Sequence, residues 1–153
     1  MTTVFLDGQF MPIAEAKVPV MDRGFLFGDG AYELIPVYSR RPFRLAEHLR
    51  RLQHTLDGIR LANPHSEVEW TRLIGEIVAC NNGEDQSVYL QITRGADTKR
   101  NHAFPARVTP TVYIMSEPLV TPPPPSACSA SPARPRSRSP SSRCPGWGRS
   151  SPS

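Results

Sequence analysis

Apolar positions follow two different periods over the first 120 residues and none after that. Val4-Phe5-Leu6 and Gln9-Phe10-Met11 flank Asp7-Gly8, a pair suited to a two-residue turn with positive φ at both positions, which predicts a β-hairpin. A second extended run covers 32–38, where Pro36 cannot donate to a ladder and must stand at an edge or bulge. From 44 to 61 the spacing changes. Leu45, Leu49, Leu52, Leu56 and Ile59 recur every three or four residues, which gathers them on one helical stripe that Asn63-Pro64 ends. Ser66 with Glu69 three residues on forms a capping box for a second helix, whose apolar side is Trp70, Leu73, Ile74, Ile77 and Val78. Asn82-Gly83 stops it. Val88, Leu90 and Ile92 then alternate with Tyr89, Gln91 and Thr93, the period of a half-buried strand, and 111–115 reads as one more. Strands, two helices and strands again predict an α+β domain, an antiparallel sheet with two packed helices.

The pattern stops near Leu119. Residues 122–125 are four prolines, and Ser, Pro and Arg dominate the remainder, so two regions are expected: a folded domain over 1–120 and a disordered tail over 121–153. The split also explains the charge. The net charge of +4 comes from a tail with five arginines and no acid, whereas Asp plus Glu outnumber Lys plus Arg by 14 to 13 over the first 120 residues. The domain therefore offers no basic face for nucleic acid, and the Arg136-Ser137-Arg138-Ser139 segment would give only weak, salt-sensitive phosphate contacts. Cys80, Cys128 and Cys144 match neither a zinc pattern nor a disulfide framework, so no metal site is expected. Asp7 interrupts any apolar leader, and no run reaches the roughly 18 apolar residues of a membrane span, which implies a cytoplasmic protein without membrane partners.

Three stretches carry candidate chemistry. Asp22-Arg23-Gly24 through Gly28-Asp29-Gly30-Ala31-Tyr32-Glu33 concentrates glycines beside a strand, which serves either a tight turn or close approach of backbone to a ligand. Its spacing fits neither a P-loop nor a dinucleotide fingerprint. Glu47-His48-Leu49-Arg50-Arg51-Leu52 places consecutive arginines about 100° apart on the first helix. Each is a solvated surface residue unless one reaches a phosphate with its planar fork, and His48 reads as packed or surface rather than catalytic. Arg100 and His102 lie two residues apart in a polar loop that starts at Thr93-Arg94-Gly95 and ends at Phe104-Pro105. The loop is either simply exposed and basic or a grip for one carboxylate.

Taken together and in order, the three stretches resemble the fold-type IV pyridoxal-phosphate aminotransferases. That class holds D-amino-acid transaminase, branched-chain aminotransferase and aminodeoxychorismate lyase. The Arg100-x-His102-x-Phe104-Pro105 loop points to the D-amino-acid transaminase branch. The likeness covers roughly residues 3–119 and corresponds to the small N-terminal domain. It implies that Arg51 contacts the phosphate of pyridoxal 5′-phosphate, and that Tyr32, Arg100 and His102 bind the substrate α-carboxylate. It implies transamination between a D-amino acid and a 2-oxo acid, and a homodimer for the full-length family.

The resemblance also requires a lysine for the Schiff base, placed in a second domain. This chain has only Lys17, between the hairpin and the glycine-rich stretch, and Lys99, in a polar stretch beside Arg100; neither has the desolvated pocket of a Schiff-base lysine, so no catalytic residue is assigned and a truncated form, inactive alone, is expected. Pro, Ala, Gly, Ser and Arg are what GC-rich DNA encodes out of frame, which motivates the hypothesis of a frameshift near codon 120. Re-reading the DNA tests it, and the absence of a lysine-bearing continuation in the other frames would sink it. The alternatives are a branched-chain aminotransferase or aminodeoxychorismate lyase relative, and, from another class, a non-catalytic dimerising or binding fragment.

Overall fold

The computed structural model describes residues 2–105, 107 and 109–120. The tail expected over 121–153 lies outside the described residues. Nine elements follow in order: β1 (Thr3–Leu6), β2 (Gln9–Pro12), α1 (Arg23–Phe27), β3 (Gly30–Tyr38), β4 (Arg41–Pro42), α2 (Leu45–Gly58), α3 (Glu67–Cys80), β5 (Gln86–Thr93) and β6 (Thr111–Pro118). The six strands form one antiparallel sheet in the order β2-β1-β6-β5-β3-β4. The fold is α+β.

The hairpin forms as its turn residues dictate. Asp7 and Gly8 have φ of 45° and 95°, and Phe5 pairs with Phe10 across the ladder. β3 pairs along its length with β5, but its other side meets only the two residues of β4, so Pro36 stands where little ladder is lost. Strand alternation then decides what faces the helices. Ala31, Glu33, Ile35 and Val37 of β3 point inward with Val88, Leu90 and Ile92 of β5 and Val112 and Ile114 of β6. Leu49, Leu52 and Leu56 of α2 and Trp70, Leu73, Ile74, Ile77 and Val78 of α3 close that core. The opposite face of β3 leaves Tyr32, Leu34 and Tyr38 exposed.

The helix ends bear out one sequence expectation and correct two others. α3 carries both halves of its capping box, with Glu69 N–H donating to Ser66 Oγ and Ser66 N–H to Glu69 Oε2. α2, expected to run to 61, stops at Gly58, because Arg60 enters the left-handed region at φ 54° and Leu61 N–H turns back to the Leu56 carbonyl. The glycine-rich stretch, expected to be a loop, contains a short third helix. Asp22 caps α1 by accepting from Gly24 N–H, and Gly28 ends it at φ 65°.

Candidate functional site

Glu33 anchors the first part of the site. It occupies a core-facing position of β3 and is only 2% exposed, so its carboxylate has to be compensated. Arg51 of α2 supplies a two-point grip: Nε donates to Oε1 at 2.7 Å and Nη2 to Oε2 at 2.6 Å. His48, one turn earlier, places Nδ1 2.9 Å from Oε2, and because a carboxylate only accepts, Nδ1 carries the proton. Burial raises the Glu33 pKa, but the hydrogen bonds and charges of Arg51 and His48 outweigh it and hold the group below its ordinary value. The pair is lopsided. The Arg51 side chain is 65% exposed, and its Nη1 makes no hydrogen bond among the described residues.

That free edge of the guanidinium opens toward solvent. Gly30, Tyr32, Glu33, Arg51 and Thr55 line a recess of about 370 Å³ between β3 and α2. Arg51, with Arg44, Glu47 and His48, also borders a second hollow of about 250 Å³. Tyr32 stacks on Tyr89 with ring centroids 5.8 Å apart. Burial, followed by the neighbouring Tyr32, raises the Tyr89 pKa, which keeps that phenol a donor.

The second part is the loop after β5. Arg100 stands over the Phe27 ring at 5.1 Å, and the His102 ring lies 5.0 Å from the same ring. One aromatic of α1 thus gathers both basic side chains, and both residues remain exposed. The sequence-predicted residues are therefore brought together in two groups, Tyr32 with Arg51 and Arg100 with His102.

Sequence reasoning missed the ion network beneath these groups. Asp29 Oδ2 accepts from Nε of Arg23 and from Nε of Arg94, each at 2.8 Å, and both arginines are 3% exposed. Burial raises the Asp29 pKa, and the bonds from Arg94 and Arg23 reverse that to a net lowering. Arg94, read from the sequence as part of a polar loop, is buried and also donates to the carbonyls of Ile59 and Arg60 at the end of α2. Asp22, fully buried, accepts from Thr93 Oγ1, Thr111 Oγ1 and Gly24 N–H. Gly24 is required there, since a Cβ would run into the Thr93 side chain.

Comparison with known proteins gives this arrangement a place. Residues 30–149 match the family described as amino-transferase class IV. The chain belongs to the class IV aminotransferases. Over 118 residues it is 36% identical to a D-alanine aminotransferase of Staphylococcus haemolyticus, covering 76% of this chain and 42% of the relative. The branched-chain aminotransferase of the archaeon Thermoproteus uzoniensis, solved with norvaline, superposes with a TM-score of 0.66 at 26% identity, covering 78% of this chain and 42% of that one. The 4-amino-4-deoxychorismate lyase of Pseudomonas aeruginosa gives 0.59 at 30% identity, covering 75% and 39%. The chain spans about two fifths of the length of the curated relatives it matches.

The residues present fit one end of a pyridoxal phosphate. Arg51, fixed on Glu33 and open on its other edge, suits a phosphate. The two lysines of this chain, Lys17 and Lys99, are both exposed. Among the described residues there is no cluster of metal-ligating side chains and no helix long and apolar enough to cross a membrane.

Proposed function

We propose that this chain is the substrate-recognition domain of an enzyme that transaminates between a D-amino acid and a 2-oxo acid. One observation carries the reading: Arg100 and His102 both stand against the Phe27 ring, so one aromatic holds an arginine fork and an imidazole. A carboxylate is the ligand such a pair suits, and fixing it selects which face of the substrate's α-carbon is presented. By resemblance Tyr32, which lines the recess of Arg51, also serves the α-carboxylate, and Arg51 holds the phosphate of pyridoxal phosphate from its free edge. When bound, the cofactor supplies the electron sink of the reaction. This chain's residues orient substrate and cofactor, and the lysine chemistry lies outside them. The D-alanine aminotransferase relatives favour a D-amino acid over the branched-chain reading.

The same proposal includes a homodimer, a cytoplasmic location, a recognition domain over residues 1–120, and a separate tail over 121–153 produced by a frameshift. Light scattering tests the dimer, and the nucleotide sequence past codon 120 tests the frameshift. Titration of the ¹⁵N-labelled chain with pyruvate and with inorganic phosphate tests the recognition roles. Pyruvate should shift Arg100, His102 and Tyr32, and phosphate should shift Arg51. The reading fails if neither ligand selects these residues.

A further inference from the structure

The loop that carries Arg100 and His102 is held from below by a side chain outside the pair. Arg23 leads α1 and sends its guanidinium under the loop. Nη1 donates to the carbonyls of Asn101 at 2.6 Å and Ala103 at 3.3 Å, and Nη2 donates to that of His102 at 3.3 Å. The third nitrogen, Nε, donates to Asp29 Oδ2, and the Arg23 backbone N–H donates to the Gly95 carbonyl at the start of the same loop. Its guanidinium also lies 4.9 Å from the centroid of Phe27, the ring on which Arg100 and His102 rest.

Charge makes this hold obligatory. Arg23 and Arg94 are both buried, and they share one carboxylate oxygen of Asp29, so two cations face one anion. Carbonyl oxygens take up the excess. Those of Ile59 and Arg60 serve Arg94, and those of Asn101, His102 and Ala103 serve Arg23. If the loop moved away, a buried guanidinium would lose most of its partners, which is costly. The fork is needed as well as the charge. Lysine has a single compact ammonium and cannot span Asp29 and three successive carbonyls.

We propose that Arg23 is a positioning residue for carboxylate recognition: its hold on the 101–103 backbone sets Arg100 and His102 on Phe27 so that both face one carboxylate. The proposal rests on the reading of Arg100 and His102 as a carboxylate grip. Arg23 itself touches no substrate.

The test is Arg23→Lys in the full 153-residue chain, followed by NMR with pyruvate and inorganic phosphate as probes. In the parent chain the Phe27 ring, 5.0 Å away, should shift the His102 ring protons. R23K is expected to abolish that shift and weaken the pyruvate response of Arg100 and His102 about tenfold, as expected for lost charge-assisted bonds. The phosphate response of Arg51 should stay unchanged. Retention of the His102 shift and of pyruvate binding would overturn the proposal. A parallel fall in pyruvate and phosphate responses would also overturn it, since that marks general loosening. If pyruvate selects neither residue in the parent chain while R23K still abolishes the His102 shift, the carboxylate reading fails and the hold of Arg23 on the loop stands. Should R23K not fold, the parent chain decides. Separate, slowly rotating Arg23 guanidinium protons with cross-peaks to residues 101–103 support the hold, and freely averaged ones overturn it.

Discussion

Glu33 and Arg51 form a two-point ion pair in which the carboxylate is buried and the guanidinium stands mostly in solvent. The asymmetry makes Glu33 the fixed partner and Arg51 the presented one. Arg51→Met should therefore abolish the phosphate response in a titration while lowering the urea-unfolding midpoint, because buried Glu33 loses its two-point partner. A wholly buried pair would cost about 3–5 kcal/mol when broken. Here one partner is exposed and His48 remains on the carboxylate. An unchanged phosphate affinity in R51M would remove Arg51 from the cofactor site.

Acid should unfold this domain in a defined window. Glu33 and Asp29 both have folded-state pKa values below their ordinary values of 4.5 and 3.8, because burial, which raises them, is outweighed by the arginine contacts. A depressed carboxylate stabilises the fold above its unfolded pKa, and that contribution disappears as pH falls through the folded one. Thermal midpoints should thus be steady above about pH 5 and drop below about pH 4. Glu33→Gln and Asp29→Asn should each flatten the drop while lowering the plateau. A melting curve equally steep in the double variant would count against both assignments.

Gly24→Ala should destabilise the domain by about 1–3 kcal/mol, the cost of overpacking a filled site. The added methyl meets Thr93, whose hydroxyl donates to buried Asp22. The amides of Asp22, Thr93 and Thr111 should report the strain, and an unperturbed spectrum would contradict the packing described for α1.

Ser66→Ala removes one half of the α3 capping box and should cost about 1 kcal/mol, within the 0.5–2 range for such caps. Hydrogen exchange should accelerate first at Glu69, whose N–H is left without Ser66 Oγ.

These cases differ in how far the sequence announced them. The Ser66–Glu69 box and the apolar stripes of α2 and α3 depend on residues three or four apart, so spacing alone reveals them. Glu33 was within reach too: it shares the alternation phase of Ala31, Ile35 and Val37, and a carboxylate in that phase has to be paired. The end of α2 gave no warning, because Arg60 takes a left-handed conformation without glycine or asparagine to mark it. The Arg23–Asp29–Arg94 network was hidden for another reason. Arg94 lies 65 residues from Asp29, and the carbonyls that Arg23 holds lie 78–80 residues away, with no side-chain identity to betray them.

The strand order has a consequence in time. β1 pairs with β6, Phe5 opposite Ile114, so the first strand synthesised docks beside the last one described. The N-terminal hairpin can form within microseconds of emerging, but its place in the sheet is created only when residues 111–118 leave the ribosome. At about 5–20 residues per second, that leaves the hairpin waiting for several seconds with Phe5 unburied. A nascent chain arrested before β6 should remain open to protease at β1, and one arrested well past it should not.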